Sequence, residues 1–266
     1  MASDKEFEQL KREAEEHAFS VRQLIAQRTR LHQLFDAIGA FVSFRNGVDL
    51  ISTSKSIATT QSQFYQEIYC LLVNYGKRGG YFVEFGACDG ILLSNTLLLE
   101  REFGWTGILS EPMPAWQEAL KQNRNCTIDN RCVWTETGRI IDLFEFENDQ
   151  YLTESSTFEE NGRLAKNVYS VATVTLADLL MQHNAPRTID FLSMDVEGGE
   201  HAILSTFPFD EYRFNFISVE LHREHAGQDR EHAEEINQLM TKNGYKQVFS
   251  EASGRDGFYV PANTPN

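Results

Sequence analysis

The sequence lacks any long run of apolar residues. Hydrophobic residues make up 41% of its 266 positions, yet no uninterrupted apolar segment approaches the ~20 residues that a membrane-spanning helix needs. The first part of the chain is rich in Lys, Glu and Arg, and so does not resemble a secretory signal with its apolar centre. These absences predict a cytoplasmic protein that does not bind a membrane, with a chain long enough to bury its own core.

Cysteine is also scarce, with 4 residues in the chain and no CxxC pair. Cys70, Cys88, Cys126 and Cys132 show neither the spacing of a zinc finger nor that of a disulfide framework. We therefore expect reduced and mostly buried thiols, in a fold that requires no disulfide or metal clip.

Basic residues are few relative to acidic ones. The chain has 24 Lys and Arg against 39 Asp and Glu, which gives a formal net charge of −15. Proteins that bind nucleic acid use basic surfaces to neutralise phosphates, and anionic lipid also attracts basic segments. The balance predicts no nucleic-acid partner and favours a neutral or cationic small molecule, or a saccharide, as substrate.

Helical spacing dominates the first part of the chain. From Phe7 to about Phe44, apolar residues recur every three or four positions and no proline interrupts them. We predict a helical accessory segment over residues 1–55, which packs on the core, covers the active site or forms the interface of a homo-oligomer. The Ser/Thr-rich stretch Ser52–Ser62 predicts a linker, and residues 56–266 are predicted to form the main domain.

Beyond Gly80, short β-rich runs alternate with helical stretches, as in βαβ units. The predicted strands are Tyr81–Phe85, Gly107–Ser110, Thr127–Trp134, Ile189–Met194, Phe214–Leu221, Lys246–Ser250 and Gly257–Val260. The predicted helices are Gln63–Val73, Ser94–Glu102, Pro114–Gln122, Leu176–His183, Gly199–Thr206 and Arg230–Asn243. This order predicts an α/β protein with a Rossmann-like, doubly wound sheet of seven strands that closes in an antiparallel hairpin.

A glycine turn follows the first predicted strand, in the segment Tyr81–Gly90. Gly86 and Gly90 allow the backbone to approach a ligand closely, and Glu84 is placed to accept a hydrogen bond or to pair with a cation. A pyrophosphate fits poorly, because Glu84 and Asp89 would repel it and the third glycine of GxGxxG is missing. A cationic sulfonium with an amino-acid tail fits this acidic turn.

A second acidic turn, Ser110-Glu111-Pro112, ends the second predicted strand. In a doubly wound sheet this position places the carboxylate of Glu111 where a ribose diol would lie. Asn130 in the third predicted strand is a candidate for contact with an adenine edge, and an ordinary strand residue is the alternative interpretation. Together the turns predict a site for S-adenosylmethionine (SAM).

These segments resemble the FkbM-type methyltransferases of the Rossmann-like, SAM-dependent class. The resemblance includes Ser62-Gln63-Phe64, Phe82–Gly90, Gly107–Pro112 and Ile189–Glu200. It implies SAM as the methyl donor and O-methylation of a hydroxyl on a sugar or a natural product. The predicted cofactor-binding residues are Gln63, Glu84, Gly86, Ala87, Asp89, Gly90, Asn95, Glu111, Pro112, Asn130 and Asp195.

More acidic residues follow the fourth and fifth predicted strands. Asp195 ends the fourth strand and Glu197 follows at alternating spacing, while the fifth strand ends in Glu220-Leu221-His222. The carboxyl ends of parallel strands meet at one edge of a sheet, where a doubly wound fold binds its substrates. We therefore predict that Asp195, Glu197, Glu220 and His222 form the catalytic cluster.

Two roles for this cluster remain open. Methyl transfer requires that the acceptor be aligned and its proton removed. His222 could act as the base near neutral pH, or Asp195, Glu220 and His222 could bind Mg²⁺ or another divalent metal.

For Glu200, in the first turn of a helix, the plain interpretation is that it complements the helix dipole. The polar insertion Tyr151–Asn167 is either a lid or a surface loop.

Two other functions compete with the methyltransferase interpretation. A nicotinamide-dependent oxidoreductase would need a GxGxxG turn and phosphate contacts, and the sequence has neither. A catalytically silent scaffold that only binds SAM is the second alternative. The presence of Glu84, Glu111, Asp195 and Glu220 favours an enzyme.

Overall fold

The computed structural model describes residues 60–146, 152–153, 159–160, 163–196, 198–221, 228–250, 253 and 255–264. The predicted accessory segment 1–55, with its proposed oligomer interface, lies outside these residues, so the domain boundary remains a prediction. Glu197 and His222 lie outside them as well. None of the described helices is long and apolar enough to cross a membrane.

The predicted helices beyond Ser62 are all present. They are α1 (Gln66–Val73), α2 (Leu97–Phe103), α3 (Pro114–Asn123), α4 (Leu176–Gln182), α5 (Glu200–Thr206) and α6 (Gln228–Lys242). The strands are β1 (Tyr81–Phe85), β2 (Thr106–Ser110), β3 (Thr127–Asp129), β4 (Cys132–Val133), β5 (Ile140–Phe146), β6 (Leu152–Thr153), β7 (Glu159–Glu160), β8 (Arg163–Val174), β9 (Thr188–Met194), β10 (Arg213–Glu220), β11 (Tyr245–Val248) and β12 (Asp256–Pro261).

The main sheet has 7 strands in the order β11-β12-β10-β9-β1-β2-β3. Strands β3, β2, β1, β9 and β10 are parallel, and β12 runs antiparallel to both β10 and β11. This confirms the predicted Rossmann-like sheet and its closing hairpin. The strand order reverses between β1 and β9, which makes the carboxyl ends of these two strands the switch point where such folds bind ligands.

The central strands are buried on both faces. Phe82, Val83, Phe191, Leu192 and Phe216 have no solvent exposure. Parallel strands that are covered on both sides are apolar throughout rather than alternating, which is why these strands are recognisable in the sequence. Buried residues of α4, α5 and α6 belong to the same core cluster as β1, β9 and β10.

Helix α1 packs against the closing hairpin. Its Tyr69 ring lies 5.0 Å from the ring of Phe258 and 4.8 Å from that of Phe249. Asn74, at the end of α1, donates to the backbone carbonyl of Asp190 over 3.2 Å. These contacts attach the segment that precedes β1 to the main sheet.

A second sheet was not predicted. It has 5 strands, with the path β4-β8-β5-β6 and β7 paired to β8. The single strand predicted over Thr127–Trp134 is wrong, because β3 joins the main sheet whereas β4 pairs with the end of β8. The second sheet has a small core of Ile141, Leu143 and Val171, which is separate from the main core. Because so few of its side chains are buried, β5 and β8 are largely polar, and their sequences resemble those of loops.

The insertion Tyr151–Asn167 belongs partly to this sheet. Where it is described, it contains β6, β7 and the first residues of β8. The sequence favoured a lid or a surface loop because polar residues dominate the segment. Of the four cysteines, only Cys70 is buried, whereas Cys88, Cys126 and Cys132 are half-buried, so the expectation of mostly buried thiols holds for Cys70 alone.

Candidate functional site

A cleft opens at the switch point. It lies between the turn after β1, the carboxyl ends of β9 and β10, and the start of β12. Its lining residues are Gln63, Gln66, Glu84, Phe85, Gly86, Cys88, Leu92, Leu93, Asn95, Met194, Asp195, Glu220 and Asp256. Of the predicted cofactor residues, this brings together Gln63, Glu84, Gly86, Asn95 and Asp195. The lining lacks the predicted residues Ala87, Asp89, Gly90, Glu111, Pro112 and Asn130.

The cleft is acidic. Carboxylates of Glu84, Asp195, Glu220 and Asp256 line it, and among the described residues no lysine, arginine or histidine does so. In a partly desolvated cleft such charges attract a cation and repel an anion more strongly than they would in water. The site is therefore suited to a ligand that carries positive charge.

The turn after β1 needs both of its glycines. Gly86 and Gly90 have φ values of +72° and +79°, in the left-handed region. A Cβ atom on Gly86 would lie 2.4 Å from the backbone oxygen of Asp195, and one on Gly90 would lie 2.6 Å from Cγ of Arg124. The turn thus contacts the β9 end through backbone atoms.

Glu84 is held by the residues that follow the turn. Its side chain is 3% exposed, and its Oε1 atom accepts the Asn95 N–H over 2.7 Å. The hydroxyls of Ser94 and Thr96 donate to its carboxylate. The sequence predicted that Glu84 accepts a hydrogen bond or pairs with a cation. The protein itself supplies both, because Nη1 of Arg124 lies 3.7 Å from Oε2.

Arg124 was missed by the sequence analysis. It follows α3, its side chain is fully buried, and it donates through Nε to Glu100 over 2.8 Å. Its two other nitrogens donate to the Gly90 carbonyl over 3.3 Å, to Ser94 Oγ over 3.1 Å and to Thr96 Oγ1 over 2.9 Å. A single arginine among polar residues gives no signal in a sequence, because only tertiary packing brings it to the turn.

Asp89 shapes the turn rather than the cleft wall. Its Oδ1 atom accepts the N–H groups of Ile91 and Leu92 over 2.8 and 2.7 Å. Its backbone carbonyl accepts from Asn123 Nδ2 over 2.8 Å. The side chain therefore closes a local turn of the kind that aspartate favours, and it supports the segment that leads to Asn95.

Two amide oxygens near the predicted cofactor site are buried without a hydrogen-bond partner among the described residues. They are Oδ1 of Asn95 and Oδ1 of Asn130. The Asn95 amide is oriented by its Nδ2 group, which donates to Ser193 Oγ over 2.8 Å. Because a buried acceptor is costly to leave unpaired, both oxygens are suited to a ligand with N–H donors.

Glu111 joins the turns after β1 and β2. It is 4% exposed, and its carboxylate accepts the N–H groups of Cys88 and Met113 over 2.7 and 2.8 Å. Burial raises the pKa of Glu111 to about 7, although both backbone hydrogen bonds oppose that shift. Glu111 is not among the residues that line the cleft, so its predicted contact with the ribose is untested.

Asp129 fixes the backbone on the N-terminal side of Asn130. Burial would raise the pKa of Asp129, but hydrogen bonds from Arg131 and His183 outweigh it and lower that pKa to about 2. The Oδ2 atom lies 2.6 Å from Arg131 Nη2 and 2.8 Å from His183 Nε2. The candidate adenine contact therefore sits on a well-anchored strand end.

The predicted catalytic residues Asp195 and Glu220 both line the cleft. Glu197 and His222 lie outside the described residues, so neither the four-residue cluster nor the base role of His222 is tested. Within the described part of the chain, no group of three or more His, Cys, Asp or Glu side chains could hold a metal ion. The metal site at Asp195, Glu220 and His222 remains a prediction.

Asp256 adds an acidic side chain that the sequence analysis did not select. It lies directly opposite Glu220 in the antiparallel register of β10 and β12. Its Oδ2 atom accepts from Gln66 Nε2 over 2.9 Å and from Ser218 Oγ over 2.6 Å. The sequence did contain a clue to Asp256, because it is a polar residue at the start of an otherwise apolar strand.

Glu200 organises the loop that carries Asp195. It is fully buried, and its carboxylate accepts the N–H groups of Val196 over 3.0 Å and Gly198 over 3.1 Å. His232 Nε2 lies 3.7 Å from its Oε2 atom. These contacts go beyond the dipole role expected from its position in the helix.

Glu67 attaches the segment before α1 to the site. It is fully buried and accepts hydrogen bonds from the hydroxyls of Thr60 and Ser62. Burial raises the pKa of Glu67 to about 7. Ser62 in turn forms a parallel bridge with Leu93, which lines the cleft.

Comparison with known proteins now identifies the family. A search of curated proteins gives no match. Solved structures with a similar chain include cofactor-bound Rv0187 from MTB, at 15% identity and a TM-score of 0.43, covering 85% of this chain and 96% of that one. A precorrin-6y C5,15-methyltransferase from Geobacter metallireducens GS-15 has 10% identity and a TM-score of 0.35, covering 73% of this chain and 85% of that one. The family model for the methyltransferase FkbM domain matches residues 84–246, more than half of the chain, and the protein therefore belongs to the FkbM family of SAM-dependent methyltransferases.

Proposed function

We propose that this methyltransferase transfers the methyl group of SAM to a hydroxyl of a neutral or cationic acceptor, a saccharide or a natural product. The observation that carries the proposal is the acidic cleft at the switch point, where Glu84, Asp195, Glu220 and Asp256 face one space. These carboxylates complement a cationic donor on one side. On the other side they offer acceptors for the hydroxyl groups of a substrate.

The polar groups around the cleft match the donors that SAM presents. Its ammonium group needs acceptors, and Asn95 Oδ1 and Glu84 supply them beside Gly86. Its adenine amino group needs another, and Asn130 Oδ1 is a buried acceptor with no partner among the described residues. Each match pairs a donor of the ligand with an acceptor of the protein.

Glu111 is our candidate for the ribose. Each of its carboxylate oxygens accepts one backbone N–H group, but a carboxylate oxygen has a second lone pair. A ribose hydroxyl can therefore donate to Glu111 without displacing Cys88 or Met113. Pro112 follows directly and keeps the turn rigid.

The acceptor side is assigned to the ends of β9, β10 and β12. SAM supplies an activated methyl group, so the protein has to align the acceptor oxygen and remove its proton. Asp195 and Glu220 are the candidate bases among the described residues, and Asp256 lies opposite Glu220. Glu197, His222 and a divalent metal remain predicted contributors to the same step.

The test uses the full-length protein. Isothermal titration should show binding of SAM and S-adenosylhomocysteine (SAH) but not of NAD. Incubation with SAM and paired acceptors, such as a sugar and its amino-sugar counterpart, should release SAH with the hydroxyl compound and yield a methyl ether by mass spectrometry. Methylation of the amine alone would overturn O-methylation, and binding of SAM without turnover on any acceptor would favour a silent scaffold.

A further inference from the structure

Arg124 contacts the turn after β1, residues 86–90, which we call the donor turn. It lies outside the cleft lining, yet its fully buried guanidinium donates to Gly90, Ser94 and Thr96, all of which follow β1. The neighbouring Asn123 donates to the carbonyl of Asp89. The end of α3 is thus bonded to the last residues of the turn and to the segment that follows it.

The two hydroxyls relay this contact to Glu84. A hydroxyl has one proton, so one that accepts from a guanidinium is free to donate that proton elsewhere. Ser94 and Thr96 both accept from Arg124 and both donate to Glu84. The orientation of the Glu84 carboxylate is therefore set through them.

Ion pairs and close packing also connect Arg124 to Glu84 and to the turn. Arg124 forms ion pairs with Glu84 at 3.7 Å and with Glu100 at 2.8 Å, which leaves one negative charge in excess beside the cleft. A Cβ on Gly90 would lie 2.6 Å from Cγ of Arg124 and 2.7 Å from Cδ1 of Leu120. The arginine side chain therefore packs directly against the turn backbone.

We propose that Arg124 is a positioning residue for the methyl donor, which holds Glu84 and the Asn95 segment in the conformation that receives the amino-acid end of SAM. The inference rests on the proposed function, because that function assigns the amino-acid end to Glu84 and Asn95. Arg124 forms no hydrogen bond with Asn130 or Glu111, the candidates for the adenine and ribose contacts, so its loss should affect the amino-acid end of the ligand most.

The experiment compares two ligands that differ at one end. SAH carries the amino-acid group, whereas 5′-methylthioadenosine lacks it and keeps the nucleoside. Dissociation constants for both are measured on wild type, Arg124→Lys, Thr96→Val, Thr96→Ser and the exposed control Arg101→Lys. Lysine cannot reproduce the guanidinium contacts, and valine removes the hydroxyl relay while serine keeps it.

Arg124→Lys and Thr96→Val should weaken SAH binding by roughly tenfold or more and methylthioadenosine binding by less than about threefold. Thr96→Ser and Arg101→Lys should bind both ligands like wild type. Equal losses for the two ligands, as general loosening would cause, or unchanged SAH binding would overturn the inference. If Arg124→Lys does not fold, the Thr96 pair decides. Failure of wild type to bind either ligand would overturn the proposed function itself.

Discussion

At the residue scale, several carboxylates of this protein are buried rather than exposed to solvent. Glu67 and Glu111 both have a pKa raised to about 7 by burial, whereas hydrogen bonds lower the pKa of Asp129 to about 2. The difference follows from their partners, since of the three only Asp129 bonds to an arginine and a histidine. Burial thus holds the proton on Glu67 and Glu111 to a higher pH than in the unfolded chain, whereas the partners of Asp129 keep it ionised to a lower pH.

Glu111 provides the test of ribose binding. We expect Glu111→Ala to weaken SAM binding by about 1.5 to 3 kcal/mol for each lost charge-assisted hydrogen bond, roughly tenfold to a hundredfold. Titration calorimetry measures this change, with the exposed Glu118→Ala as the matched control. SAM affinity equal to that of wild type would remove Glu111 from the site.

Glu67 predicts a pH dependence of stability. Burial raises its pKa from the ordinary 4.5 to about 7 in the folded protein. Below the lower value both states are protonated, and between the two values only the unfolded state loses the proton, so stability falls as pH rises through this window. Above about 7 both states are ionised and the loss is complete.

Substituting Glu67→Gln should remove this dependence. Urea unfolding between pH 4.5 and 7.5 should show wild type losing up to about 3 kcal/mol more stability than the variant. The exposed Glu102→Gln serves as control and should follow wild type. Parallel curves for wild type and Glu67→Gln would show that the carboxyl titrates alike in both states.

At the element scale, the loop between β9 and α5 depends on one side chain. The buried Glu200 accepts the N–H groups of Val196 and Gly198. Glu200→Ala should leave both amides without these partners and speed their hydrogen exchange, whereas Glu200→Gln keeps one acceptor oxygen and should protect them better. Mass spectrometry of the peptides that cover this loop measures the effect, and equal exchange in the two variants would contradict it.

The sequence predicted the main sheet well because its strands are buried on both faces. β1, β9 and β10 are apolar runs that end in Glu84-Phe85-Gly86, Asp195 and Glu220, so their acidic ends could be assigned to one edge. The second sheet escaped prediction because a small core leaves most of its side chains polar. Arg124 escaped because only distant contacts bring it to the turn after β1. Asp256 escaped because its one local signal, a polar residue at the start of an apolar strand, does not reveal its contacts with Gln66 and Ser218.

At the scale of the whole molecule, the predicted boundary near residue 55 can be tested by truncation. A variant that begins at Lys55 keeps Thr60, Ser62 and Gln66, which attach to Glu67 and Asp256. We expect it to bind SAM like the full chain, measured by calorimetry. A variant that begins at Gln66 lacks the Thr60 and Ser62 contacts and should bind less tightly; loss of binding in the longer variant would refute the boundary.

The close contact between Gly86 and the carbonyl of Asp195 has a consequence for redesign. The donor turn and the end of β9 meet directly through backbone atoms, because a Cβ at Gly86 would lie only 2.4 Å from that oxygen. The protein is in this respect modular: we expect substitutions at Asp256, on the proposed acceptor side, to change the choice of acceptor while the methyl donor keeps its place.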